Sequence, residues 1–104
     1  MPAIRMEPER LVDAEVSASG VVLTIRGCLD SAAGEALVTA TARAVHQQAL
    51  RLEIDLCSLT GFTDDGACAL VACRELCGGL PEGLHYKTGQ GHGRDALLAA
   101  YADC

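Results

Sequence analysis

The stretch from Val21 to Leu56 constrains the fold more than any other part of the chain. A β-branched run (VVLTIR, 21–26), a long alanine-rich stretch of helix formers and a second strand-like run (RLEIDL, 51–56) follow one another with few connecting residues. Two strands joined through a helix run parallel in one sheet, with the helix on its face and a right-handed crossover. Leu11–Ser17 alternates apolar and polar residues, and Ala18, Ser19 and Gly20 supply a turn, so 11–26 reads as a hairpin. The helix is expected from Ala32 to Leu50, capped by Asp30 or Ser31. Ala33, Leu37, Ala40, Ala44 and Val45 form its inner stripe, with Glu35, Thr39, Arg43 and His46 turned away.

Beyond the central strand, Ser58–Asp65 reads as a polar loop holding Gly61 and the chain's one Phe. Gly66–Cys77 (GACALVACRELC) reads as a second helix, stopped by Gly78 and Gly79. A turn at Leu80–Gly83 leads to a short strand, Leu84–Lys87, and a loop at Thr88–Gly91. The last helix starts near Gly93 and runs through Arg94–Ala102, with Leu97, Leu98 and Tyr101 on its inner face. The order ββαβαβα predicts an α/β domain: a mixed four- to five-stranded sheet with helices packed on it. At 104 residues the chain is one domain over 1–104, with 1–10 as a flexible N-terminus. Three aromatics and no Trp force an aliphatic core of closely approaching elements.

Charge removes whole classes of partner. Eight basic residues against fourteen acidic ones give a net charge of −6, which repels nucleic acid and anionic lipid alike. The basic residues are scattered, with no stripe to offset that sign. No apolar run approaches the roughly 20 residues of a membrane-spanning helix, and Met1–Arg10 carries charges where a signal peptide needs apolar residues. A cytoplasmic protein without membrane insertion is expected. The six cysteines, at 28, 57, 68, 73, 77 and 104, are then read as reduced thiols. None forms a CxxC pair, the nearest approach being Cys73 and Cys77 one helical turn apart, so neither a metal nor a cofactor is expected.

Enzyme chemistry finds little support. Cys28, Cys57 and Cys68 have no sequence feature joining them to His46, His85 or His92 as a nucleophile–base pair. Gly89, Gly91 and Gly93 match neither phosphate-binding fingerprint, and Asp64 and Asp65, as neighbours on a helical turn, point in different directions. A non-enzymatic protein is expected.

The informative segment is Leu56–Leu70, LCSLTGFTDDGACAL, in which a strand runs through a loop into a helix whose first turn carries two carboxylates. Thr63 suits the N-cap, and Asp64 and Asp65 meet the positive helix end, each worth roughly 0.3–1 kcal/mol when exposed. The helix that follows has only Arg74 and Glu75 as polar residues after Gly66, so it must hide both sides. Either it lies deep under other elements or its outer stripe meets a partner.

The ββαβαβα order, GCLD at 27–30 and IDLCSLTGFTDDGACAL at 54–70 together resemble the STAS domain of sulfate transporters and anti-sigma-factor antagonists. That family pairs a strand ending in Gly-x-Leu-Asp with a Phe-Ile/Met-Asp-Ser-Ser-Gly loop before the second helix. Counting back from Gly66, the resemblance sets Asp65 on the second serine, Asp64 on the first and Thr63 on the family aspartate. The second serine is the phosphate acceptor in the antagonists, so Asp65 is the phosphoacceptor equivalent and cannot be modified by a Ser/Thr kinase. The switch is absent or rewired. Asp brings about −1 charge and two oxygens against about −1.5 to −2 and three for phosphoserine, a partial mimic. Thr63 and Ser58 are the remaining hydroxyls for phosphate. The resemblance implies docking on an anti-sigma kinase or a comparable protein partner through Thr63, Asp64, Asp65, Gly66, Cys68, Ala69 and Cys73. A structural STAS subunit of a larger signalling or lipid-transport complex is the other reading it allows.

Overall fold

The computed structural model describes residues 12–104, so Leu11 and the N-terminal stretch 1–10 lie outside the described residues. The hairpin forms as expected from β1 (Val12–Ser17) and β2 (Gly20–Ile25). With β4 (Leu52–Asp55) and β6 (Leu84–Lys87) these strands build a four-stranded sheet in the order β1-β2-β4-β6. β2, β4 and β6 are mutually parallel, as helical crossovers require.

Two short strands depart from expectation. β3 (Gly27–Leu29) and β5 (Leu59–Phe62) pair in parallel as a separate two-stranded sheet. The sequence predicts a strand that ends at Arg26, with Gly27 and Cys28 leaving it, and a loop over 58–65. Gly27 is the reason: its φ of 81° bends the chain out of line with β2, and the β3–β5 register shifts between Gly27 and Cys28. Strands of three and four residues are too short to show alternation.

Period-2 patterning then decides the faces. Val21, Leu23 and Ile25 of β2 and Leu52 and Ile54 of β4 are buried on the helical side. Register places Asp13, Glu15, Thr24, Glu53, Asp55, His85 and Lys87 together on the other face. Each fully buried Leu or Ile contributes about 1.5–3 kcal/mol, so this sheet face anchors the domain.

The helices are α1 (Ser31–His46), α2 (Asp64–Leu76) and α3 (His92–Asp103), with α2 packed against both of the others. Asp30 caps α1 by accepting the Ala33 N–H at 2.9 Å. α1 stops at His46, short of Leu50, because Gln48 turns left-handed at φ 63° to bring the chain into β4. Its buried residues are Ala33, Gly34, Leu37, Thr41 and Ala44; Ala40 and Val45 are only half-buried. Thr41 tolerates the interior because its hydroxyl donates to Cys73 Sγ at 3.2 Å across the α1–α2 contact. In α3 the expected inner face is corrected. Leu98 and Tyr101 are 59% and 49% exposed, while Ala96 and Ala100 face inward. The close seat explains it, since Gly93 lies directly against the Leu56 and Thr88 carbonyls and leaves room only for small residues.

Ordinary burial accounts for most of the apolar character of α2: Ala67, Leu70 and Cys73 are in the core and Leu76 is its exposed large apolar residue. Among the described residues, no helix is long and apolar enough to cross a membrane.

Candidate functional site

Two helix N-termini meet at the corner where β3 and β5 end. Thr63, leaving β5, donates its N–H to the Leu29 carbonyl at 3.1 Å, which ties the start of α2 to the end of β3. The Thr63 hydroxyl accepts the Gly66 N–H at 3.1 Å, so the residue is the N-cap of α2. Gly66 lies so close to the carbonyls of Leu29 and Asp30 that a β-carbon there would overlap backbone atoms. The sequence blocks 27–30 and 63–66, set apart by a whole helix and two strands, are therefore one structural unit.

That unit presents Thr63, Asp64 and Asp65 to solvent and buries Gly66 beneath them. Asp64 and Asp65 are the acidic residues of the first turn of α2, where unpaired N–H groups favour negative charge. A shallow groove of ≈ 390 Å³ opens beside Asp65, between α1 and α2. Gly34, Val38 and Ala69 line its apolar part, and Ser31, Glu35, Thr39 and Asp65 its polar part. It exists because small residues face each other at the crossing: a β-carbon on Gly34 would meet Ala69 Cβ at 3.0 Å and Gly66 Cα at 3.3 Å.

Not every expected contact residue reaches this surface. Cys73 is fully buried with Thr41, so as a partner contact it is withdrawn. Ala69 is 9% exposed and contributes only to the groove wall. Ser58 sits before β5 and Thr63 after it, so the two hydroxyls occupy opposite ends of that strand. Glu35, Val38 and Thr39 of α1 were missed. Gly34 beside Ala33 was the available signal, since adjacent small residues on the buried side of a helix mark a close helix crossing.

The cysteines divide into three kinds, which corrects the reading of six reduced thiols. Cys68 of α2 and Cys104 after α3 are joined in a disulfide with Cα atoms 5.6 Å apart, within the normal span. Cys73 and Cys77 are buried thiols, and Cys28 and Cys57 are exposed. Burial pushes the Cys73 thiol up to about 11 and also raises Cys77. Cys57 is raised by partial desolvation and by its Asp55 neighbour. A raised thiol carries less thiolate at neutral pH, the opposite of an activated nucleophile. Among the described residues, no group of three or more His, Cys, Asp or Glu side chains is placed to hold a metal ion.

No family model matches the sequence, and no curated protein matches it. Solved structures do. The anti-sigma factor antagonist from Mycobacterium paratuberculosis superposes with a TM-score of 0.70 at 23% identity, over 86% of this chain and 77% of that one. The anti-sigma factor antagonist SpoIIAA in its unphosphorylated form gives a TM-score of 0.67 at 16% identity, over 84% and 81%. Mglu gives 0.71 at 13% identity over 88% of this chain, which spans only 23% of the Mglu chain. At these identities the likeness defines the fold: the chain has a STAS-like α/β fold.

Proposed function

We propose that the protein is a non-enzymatic regulatory binding module, resembling anti-sigma factor antagonists, that docks on a protein partner of the anti-sigma kinase kind. The docking surface is the Thr63–Gly66 corner with the outward side of α2. One observation supports this reading: the Thr63–Gly66 corner, which the sequence resemblance sets on the acceptor-serine loop of the antagonists, is capped, seated on β3 and exposed, and bears Asp65. A carboxylate there gives a fixed negative charge in place of a switchable one. The raised thiols support the non-enzymatic part. The net charge of −6 favours a protein partner over nucleic acid.

A second reading has its own support. The same fold occupies 23% of the Mglu chain, so STAS-like units also occur as parts of larger proteins, and a structural subunit of a larger complex has no need of an acceptor serine. Affinity capture from the source cell's lysate, followed by mass spectrometry, separates the two. Recovery of an ATPase-type kinase, lost when Asp65→Lys bait is used, supports docking. Recovery of transporter or other assembly subunits, unaffected by Asp65→Lys, supports the structural reading.

A further inference from the structure

Resting on the docking reading and deepening it, we propose that the α1–α2 groove receives an arginine side chain from the partner. The aliphatic stem lies on Val38 and Ala69, and the guanidinium meets the carboxylates of Glu35 and Asp65.

The argument is one of shape and charge. The groove has an apolar part made by Gly34, Val38 and Ala69, which suits a methylene stem, and two carboxylates on its rim, one from each helix. No basic residue lines it. The cations on the same helices are used or set apart: Arg74 of α2 donates to the Tyr101 hydroxyl at 3.2 Å and stacks over that ring, and Arg43 of α1 lies a turn beyond Thr39. Among the described residues the ion pairs are Arg26–Asp13 and Arg51–Glu53, and neither involves the groove. Both carboxylates are exposed and are not held by any side-chain hydrogen bond among the described residues. Arginine fits better than lysine because its planar fork can donate to two carboxylates at once and is the more weakly hydrated cation.

The test uses a phage-displayed library of random 15-residue peptides selected against the full chain. Selected peptides are then titrated fluorimetrically into wild type, Glu35→Gln, Glu35→Lys and Asp65→Asn, and mapped by amide shifts on the 15N-labelled chain. Enrichment of arginine next to apolar residues, a Kd weakened ~10-fold or more by Glu35→Lys and several-fold by Glu35→Gln, and shifts over 31–39 and 63–69 support the proposal. Replacing the peptide arginine by lysine should weaken binding, and by norleucine should weaken it further. Glu35 is an exposed helical residue, and an unchanged melting temperature shows that its variants remain folded. Peptides that map to α2 and the corner but ignore Glu35 overturn the arginine assignment and leave the docking reading standing. Peptides that map to the outer sheet face around Glu53 and His85 overturn both.

Discussion

Gly66 packs its α-carbon against the carbonyl of Leu29, with no space for a β-carbon between them. Everything that the corner offers to a partner depends on this contact, because it sets the height and direction of the first turn of α2. Gly66→Ala should therefore cost about 3 kcal/mol or more, since the obstacle is backbone rather than a side chain that can swing away. Gly61, with nothing within 4 Å of its β-position, is the control, and Gly61→Ala should shift stability by only about 0.5 kcal/mol. Urea unfolding of the two variants measures the difference.

Thr63 holds the same corner from the other side through its bond to the Gly66 N–H. Thr63→Ala should lose about 1 kcal/mol, whereas Thr63→Ser and Thr63→Asp should retain most of it. Urea unfolding of the three variants measures the difference.

The Cys68–Cys104 disulfide closes a loop of sequence separation 36 and fastens the end of α3 to α2. Loop closure of that length is worth about 3–4 kcal/mol in the chain-entropy account. Reduction of wild type and the Cys104→Ser change should lower the urea midpoint to the same value. A maleimide pulse on the native oxidised protein should label Cys28 and Cys57 rapidly and spare Cys73 and Cys77 until unfolding.

Alkaline stability follows from Cys73. Its folded value near 11 lies above the ordinary 9.0, so the folded state keeps a proton that the unfolded chain releases between those values. The contribution is complete below about pH 9 and is lost as pH rises towards 11. Cys77 and Tyr86 are raised too and act in the same direction. With Cys28 and Cys57 alkylated beforehand to prevent exchange, the urea midpoint should stay level from about pH 7 to 8.5 and then decline. Cys73→Ala should be less stable throughout, because Thr41 loses its acceptor, but its decline should be shallower.

Local chemistry was legible in the sequence. The hairpin, the three helices and the caps at Asp30 and Thr63 all follow from patterns within a few residues of each element. The departures share a non-local cause. β3 and β5 exist only because Cys28 and Leu29 find Gly61 and Phe62 across an intervening helix and strand. Thr41 turns inward because Cys73, 32 residues away, accepts its hydrogen bond. Tyr101 turns outward because Ala96 and Ala100 fit the close seat of α3, and its hydroxyl then receives a hydrogen bond from Arg74. At the site, the exposed carboxylates were readable from the TDDG run, but the groove was not, because its other wall belongs to α1.

Hydrogen exchange on the chain, alone and bound to the partner recovered by capture, tests the central claim most directly. Protection confined to Leu59–Leu76 and the first two turns of α1, weakened when Asp65 is replaced by lysine, is the result expected. Protection over β1, β2 and the outer sheet face, with the corner unchanged, would contradict it.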